Sequence, residues 1–213
     1  MSDIPALHDR TLSSASLARL GVSVEACDAS DIARVLVDTT NAHAYPGEVV
    51  EQAALLVNQA REVLRLAVVH ERLKGTSWER IGRALGDISK QAASERYVAA
   101  ERDFRRRLAL AWLDPDLRDE YLGHGISGSI DDLTVWAQER RPEREVAPAE
   151  PLGAALPART AAEEDDLLEE AADLMANPEL LEGAELDIPN LRIAYLEKAL
   201  AYRSAAKTGG PTR

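Results

Sequence analysis

Lys90, Gln91, Ser94 and Glu95 lie within six consecutive positions, and their types and spacing suit reading nucleic-acid base edges better than making or breaking bonds. At a helical period they share one side of the chain. A lysine there can donate to guanine O6 and N7, a glutamine can pair bidentately with adenine, and a glutamate can accept from cytosine N4. Ser89, just before them, can cap the helix and offer its hydroxyl or the exposed backbone N–H groups to a phosphate. Arg72, Lys74, Arg80, Arg83 and Arg96 surround the group in sequence and are the expected phosphate contacts, which position a protein on a duplex without reading its bases.

Bond-making chemistry has much less support. No nucleophile, base and orienting group assemble from the sequence, so the chain is not expected to be an enzyme. Glu163-Glu-Asp-Asp166 and Glu169-Glu170 form an acidic run with no pocket signal around them, which reads as a solvated face and not as paired catalytic carboxylates. His8, His43, His70 and His124 lack the close spacing of a zinc site, and the lone Cys27 cannot form an internal disulfide, so no metal or cofactor is expected. Gly123 to Gly128 spells Gly-x-Gly-x-x-Gly, but its flanks are helical and not the strand that a dinucleotide loop requires, and it reads as a turn before a helix capped by Ser129 and running to about Arg141.

The elements that must position Ser89 to Glu95 follow from apolar spacing. Ala, Leu and Val dominate the apolar residues while aromatics are 4%, which favours an all-α fold. Glu48 to Lys74 contains no proline or glycine and carries Val50, Ala53, Ala54, Val57, Ala60, Leu64, Ala67 and Val68 at three- and four-residue spacing, predicting one long helix or two nearly collinear ones. Leu55, Leu56, Val63, Leu66 and Val69 widen that stripe, so more than one face needs cover, from the N-terminal segment or from a second subunit. Gly75 ends the helix, and Thr76 with Glu79 reads as a capping box opening a short helix from Ser77 to Leu85. Trp78, Ile81 and Leu85 form its inward face, Gly82 admits close approach of a crossing helix, and Gly86 supplies the permissive turn. From Ser89 no breaker occurs before Asp114-Pro115, and Ala93, Tyr97, Ala100, Phe104 and Leu108 make the inward stripe of one extended helix to Leu113.

Gly75-x-Ser-Trp-x-x-Ile-Gly-x-Ala-Leu-Gly followed by Ile-Ser-Lys-Gln-Ala-Ala-x-x-Arg resembles the helix-turn-helix of small DNA-binding, transcription-regulating proteins of high-GC actinobacteria. It is also similar to the Gly-Val-Ser turn and recognition helix of repressors. The resemblance implies a sequence-specific double-stranded DNA-binding regulator that reads the major groove with the helix from Ser89, as a cytoplasmic homodimer. One departure stands out: the usual turn runs glycine, apolar residue, serine, whereas Gly86-Asp87-Ile88-Ser89 is one residue longer. With Ile88 as the apolar plug, Asp87 must bulge out of the turn, and its carboxylate near the DNA backbone is mildly repulsive.

Charge is distributed in a way that supports this. The chain carries −12 overall, yet residues 61–107 hold 12 basic and 7 acidic residues, and 1–60, 108–142 and 143–213 are each acidic. Screening over about 8 Å at physiological salt lets a local basic face act on an acidic protein. Arg102, Arg105, Arg106 and Arg107 extend the basic segment, and three roles are open to them: a phosphate track, pairing with the acidic segments, or a solvated face.

The remainder organises around that segment. Residues 1–47 hold two short helical candidates, Ser14 to Leu20 and Asp31 to Asp38, the first bounded by Gly21 and the second capped by Ser30. Residues 48–141 are the expected DNA-binding domain. Pro142, Pro148, Pro151 and Pro157 mark 142–159 as a linker between two bodies. Residues 160–206 read as an acidic helical hairpin, opened by a Thr160/Glu163 capping box and closed by a helix from Pro189 with Leu191, Tyr195, Leu196, Ala199 and Leu200 inward; 207–213 read as a disordered tail. The hairpin is a surface for a protein partner, an acidic shield over the arginines, or a solvated accessory. In the first case the chain is an adaptor or antitoxin-like module with the helix-turn-helix as scaffold. Apolar runs such as Leu108 to Leu113 are far shorter than the roughly 20 residues of a membrane span, and Met1-Ser-Asp-Ile-Pro5 has no secretory pattern.

Overall fold

The computed structural model describes residues 12–37, 45–117, 156–181 and 188–208, with single positions at 121, 122, 133, 135, 136 and 139. The fold is all-α. Its helices are α1 (Ser14–Val37), α2 (Glu48–Leu73), α3 (Trp78–Ala84), α4 (Lys90–Leu113), α5 (Ala161–Ala176) and α6 (Ile188–Thr208), with short 3-10 turns at Pro115–Leu117 and Pro178–Leu181. Leu133, Val135, Trp136 and Glu139 are helical, while the rest of the helix expected to Arg141, the glycine-rich segment after Leu122, linker residues 142–155 and the tail beyond Thr208 lie outside the described residues.

The chain divides into two compact units, Met1–Glu101 with Gly125–Ala158, and Arg102–His124 with Arg159–Arg213. One boundary falls inside α4, and another lies between Ala158 and Arg159, at the end of the proline-rich linker.

In the first unit α1 is one helix, not the expected pair. Ser13 caps it, its Oγ accepting from the Ser16 N–H at 3.0 Å. Gly21, expected to end a helix, is buried within it, and Ser30, the expected cap, is an interior residue. A Cβ at Gly21 would come 3.2 Å from Leu66 Cδ1 of α2. Glycine costs an exposed helix up to about 1 kcal/mol relative to alanine, but here the missing side chain admits a leucine, and packing offsets the cost. Leu17, Ala18 and Leu20 of α1 are buried, as are Leu66, Val68 and Val69 of α2, Ile81 of α3 and Ala93 of α4. Two polar contacts fix the α1–α2 register: His70 Nδ1 lies 2.8 Å from the Ala15 carbonyl, and Gln59 donates to the Glu25 carbonyl and carboxylate. The end of the linker is pinned in the same unit, because the Pro157 carbonyl accepts from Ser13 N–H at 3.0 Å and from Ser16 Oγ at 2.8 Å.

The second unit is built from the later part of α4 with α5 and α6. Phe104, Leu108, Leu110 and Leu113 are buried, with Leu167, Ala171 and Leu174 of α5 and Leu191 and Ala199 of α6. The Thr160/Glu163 capping box forms as expected. Trp112 Nε1 donates to Glu164 at 2.7 Å, Arg159 Nη1 reaches the same carboxylate at 3.1 Å, and Lys198 Nζ sits 4.8 Å from the Trp112 ring centroid. Burial there pushes the Lys198 ammonium below its usual range. On α6, Leu191 and Ala199 are inward as expected and Tyr195 is half-buried, but Leu196 and Leu200 are 58% and 64% exposed. With helix periodicity, an inward face centred on Leu191, Tyr195 and Ala199 turns those two outward beside Ile193.

Candidate nucleic-acid interface

The expected recognition element begins where α2 stops. Gly75 takes a left-handed φ of +86°, its N–H donates to the Arg72 carbonyl at 2.9 Å, and the Thr76 N–H donates to the Glu71 carbonyl at 2.9 Å. The expected capping box does not form. Thr76 Oγ1 donates to Glu71 at 2.6 Å, Glu79 pairs with Arg83, and α3 is capped one residue later by Ser77, whose Oγ accepts from the Arg80 N–H at 3.4 Å. The hydroxyl of Thr76 has a stronger partner in the preceding helix. That bond holds the Glu71 carboxyl below its usual range.

The turn between α3 and α4 accommodates its extra residue with two consecutive left-handed positions, Gly86 at φ +94° and Asp87 at φ +60°. Aspartate tolerates that region better than most side chains. The Gly86 N–H donates to the Arg83 carbonyl at 3.3 Å, as in an ordinary helix C-cap, but the bond back to Gly82 comes from the Ile88 N–H, at 3.0 Å. This is a Schellman-type closure lengthened by one residue. The Ile88 carbonyl then lies under 3.0 Å from where a Cβ on Gly82 would stand. Gly82 therefore makes room for the turn and, through the Ser89 carbonyl 3.4 Å from the same point, for the start of the helix that follows.

Ser89 caps α4 as expected, its Oγ accepting from the Ala92 N–H at 3.1 Å. The hydroxyl is thereby used by its own helix, and the backbone N–H groups at the helix start are left as the groups suited to a phosphate. Ala93 is fully buried and Tyr97 half-buried, so the opposite side of α4 turns outward with Lys90, Gln91 and Glu95 exposed and Ser94 half-buried. Gln91 Nε2 donates to Glu95 Oε1 at 2.8 Å, which orients the glutamine amide and ties two expected base-reading residues into one unit. Arg80, Arg83, Arg96 and Lys74 are exposed, Arg83 in an ion pair with Glu79 and Lys74 with Glu71.

Arg72 has a different role from the expected phosphate contact. Its Nε donates to Glu101 of α4 at 3.0 Å, its Nη1 to the Thr76 carbonyl at 2.7 Å, and its guanidinium stacks 4.6 Å from the Trp78 ring centroid. One side chain thus joins the end of α2, the start of α3 and the middle of α4. Glu101, 8% exposed, is the residue that sequence reading missed, because it lies 29 positions from its partner and no local periodicity relates the two. Replacing Arg72 by alanine is expected to lower stability by about 2 kcal/mol, below the 3–5 kcal/mol of a fully buried pair because the arginine is partly exposed. Chemical denaturation of Arg72→Ala measures it, and a change within about 0.5 kcal/mol, the range of an ordinary surface substitution, would show that the network is ornamental.

The arginine extension belongs to the second unit. Arg106 donates to Asp103 at 2.8 Å and to the Leu180 carbonyl at 2.9 Å, and Arg107 also pairs with Asp103. Arg102 and Arg105 lie within electrostatic reach of Glu170, whose carboxyl burial nonetheless raises above its usual range. Arg106 and Arg107 are thus engaged by Asp103 of their own helix, and Arg102 and Arg105 act on Glu170 of the acidic α5.

No family model matches the chain, and no curated protein or solved structure matches it either.

Proposed function

We propose that this chain is a sequence-specific double-stranded DNA-binding protein, a transcription regulator that enters the major groove with the N-terminal part of α4 and acts as a homodimer. The observation that carries the reading is the α3–α4 pair: a seven-residue helix, a closed left-handed turn and a serine-capped second helix that presents Lys90, Gln91, Ser94 and Glu95 on its outward side. Arg80, Arg83 and Arg96 are the phosphate contacts, with Lys74 at the margin. No helix among the described residues is long and apolar enough to cross a membrane.

Binding of the full chain to duplex DNA across a salt series tests this. Four phosphate-contacting cations per protomer predict that log K falls with log salt at a slope of about −0.9 for each contact. A chain that fails to bind a pool of random duplexes even at low salt is not a DNA-binding protein.

A second reading is favoured by the exposed row of Ile193, Leu196 and Leu200 on α6, which is 54%, 58% and 64% exposed in the unit that also holds the acidic α5. On it, residues 160–206 capture a protein partner and α3–α4 is scaffold. Truncation would bare Phe104, Leu108 and Leu113, so Leu196→Asp with Leu200→Asp is the cleaner probe. The second reading expects loss of capture with an intact fold and unchanged DNA binding; retained capture sinks it.

A further inference from the structure

The face of α2 that turns away from α1 is exposed and largely apolar. Contacts at Gln59, Leu66 and His70 place α1 on one side of α2. On the opposite side run Val50, Ala53, Ala54, Val57, Ala60, Arg61 and Leu64, all exposed, with Val50 at 73%, Val57 at 50% and Leu64 at 42%. Single exposed valines need no explanation, but a continuous row about 21 Å long does. The row is also close to symmetric about Val57, small and apolar residues matching on both sides except at Arg61. Its flanking positions at three, four and seven residues are Ala54 and Ala60, Ala53 and Arg61, and Val50 and Leu64.

We infer that this face is a two-fold interface in which α2 pairs antiparallel with α2 of a second copy of the chain, Val57 lying on the axis. Val50 of each copy then opposes Leu64 of the other, and the small alanines between them let the helices approach closely. Charge selects the antiparallel sense. Glu51 is exposed at the acidic end of α2, near Glu48, and Arg61 and Arg65 lie toward the other end on the same flank. Arg61 donates to the neutral Asn58 Oδ1 at 3.3 Å, while Arg65 is held by Glu62. An antiparallel pair sets Glu51 level with Val63 of the second copy, between Arg61 and Arg65, twice by symmetry. A parallel two-fold pair would instead set this flank against the opposite one, which carries Val49, Ala53, Leu56 and Ala60 and offers no charge to meet Glu51 or the arginines. The interface requires no DNA.

The test is the mass of the full chain in solution, without DNA, by sedimentation or light scattering across concentration. The wild type is expected to be a dimer. Val57→Glu places two carboxylates on the axis and is expected to weaken dimerisation at least about 100-fold, with far-UV helical content unchanged because the position is exposed in the single chain. Glu51→Arg and Arg61→Glu are each expected to weaken the dimer about tenfold, and the two together to recover it, which separates the antiparallel pair from any other use of the surface. A wild type that stays monomeric at high micromolar concentration, a dimer that survives Val57→Glu, or charge reversals that add instead of compensating would each overturn the inference. Because no duplex is present, these outcomes are independent of whether the chain binds DNA.

Discussion

Gly82→Ala is expected to destabilise the first unit by about 3 kcal/mol, and to abolish duplex binding with it. Two effects oppose each other. Alanine gains about 1 kcal/mol over glycine as a helix residue, which favours the variant. Against it, the new methyl meets the Ile88 carbonyl inside 3.0 Å. That carbonyl belongs to backbone fixed on both sides, by the Ile88 N–H bond to the Gly82 carbonyl and by the Ser89 cap of α4, so it cannot swing away as a flexible side chain would. The clash wins, and it displaces the start of the helix that carries Lys90 and Gln91. Asp87→Gly is the control. It removes a left-handed strain and a carboxylate from the same turn, and is expected to raise stability by up to about 1 kcal/mol and to tighten non-specific duplex binding. Thermal denaturation of both variants reads the result; a Gly82→Ala protein as stable as wild type would mean that the turn is looser than described.

The second large effect concerns specificity. Gln91→Ala is expected to lose about 1–3 kcal/mol of discrimination at a single base position, roughly 10- to 100-fold, while leaving affinity for random duplex nearly unchanged. Arg83→Ala is expected to do the opposite, weakening all sequences alike and reducing the salt slope by about one. The bond from Gln91 to Glu95 adds a finer expectation. Glu95→Ala removes both a negative charge from the outward side of α4 and the acceptor that orients the Gln91 amide, so total affinity should rise as preference at that position falls. Selection from randomised duplexes, scored position by position, distinguishes these patterns. If Gln91→Ala and Arg83→Ala reduce every sequence equally, α4 does not read bases.

Local patterns carried far in this chain where one helix's own residues settle the matter. The unbroken stretch from Glu48 and the run from Ser89 to Asp114 predicted α2 and α4 nearly to the residue, because no proline or glycine interrupts them and apolar spacing extends throughout. The Thr160/Glu163 capping box and the Ser89 cap were legible for the same reason, since a cap and its target lie three residues apart. Gly86 was recognisable as a turn residue because a left-handed backbone selects for glycine wherever it occurs.

Everything that depended on a partner outside one helix's own periodicity was decided by the tertiary structure. Gly21 reads as a helix stop until Leu66 stands against it. Thr76 reads as a cap until Glu71 takes its hydroxyl, and Arg72 reads as a phosphate contact until Glu101 and Trp78 engage it. Leu196 and Leu200 read as core until the packed face of α6 is seen to centre on Leu191, Tyr195 and Ala199. The sequence alone determined which residues could form an outward basic, amide-bearing helix start. Which of them remain on that surface was decided by folding, because a hydrogen-bonding side chain goes to whichever partner the packed chain brings nearest, and that choice is made across the fold and not along it.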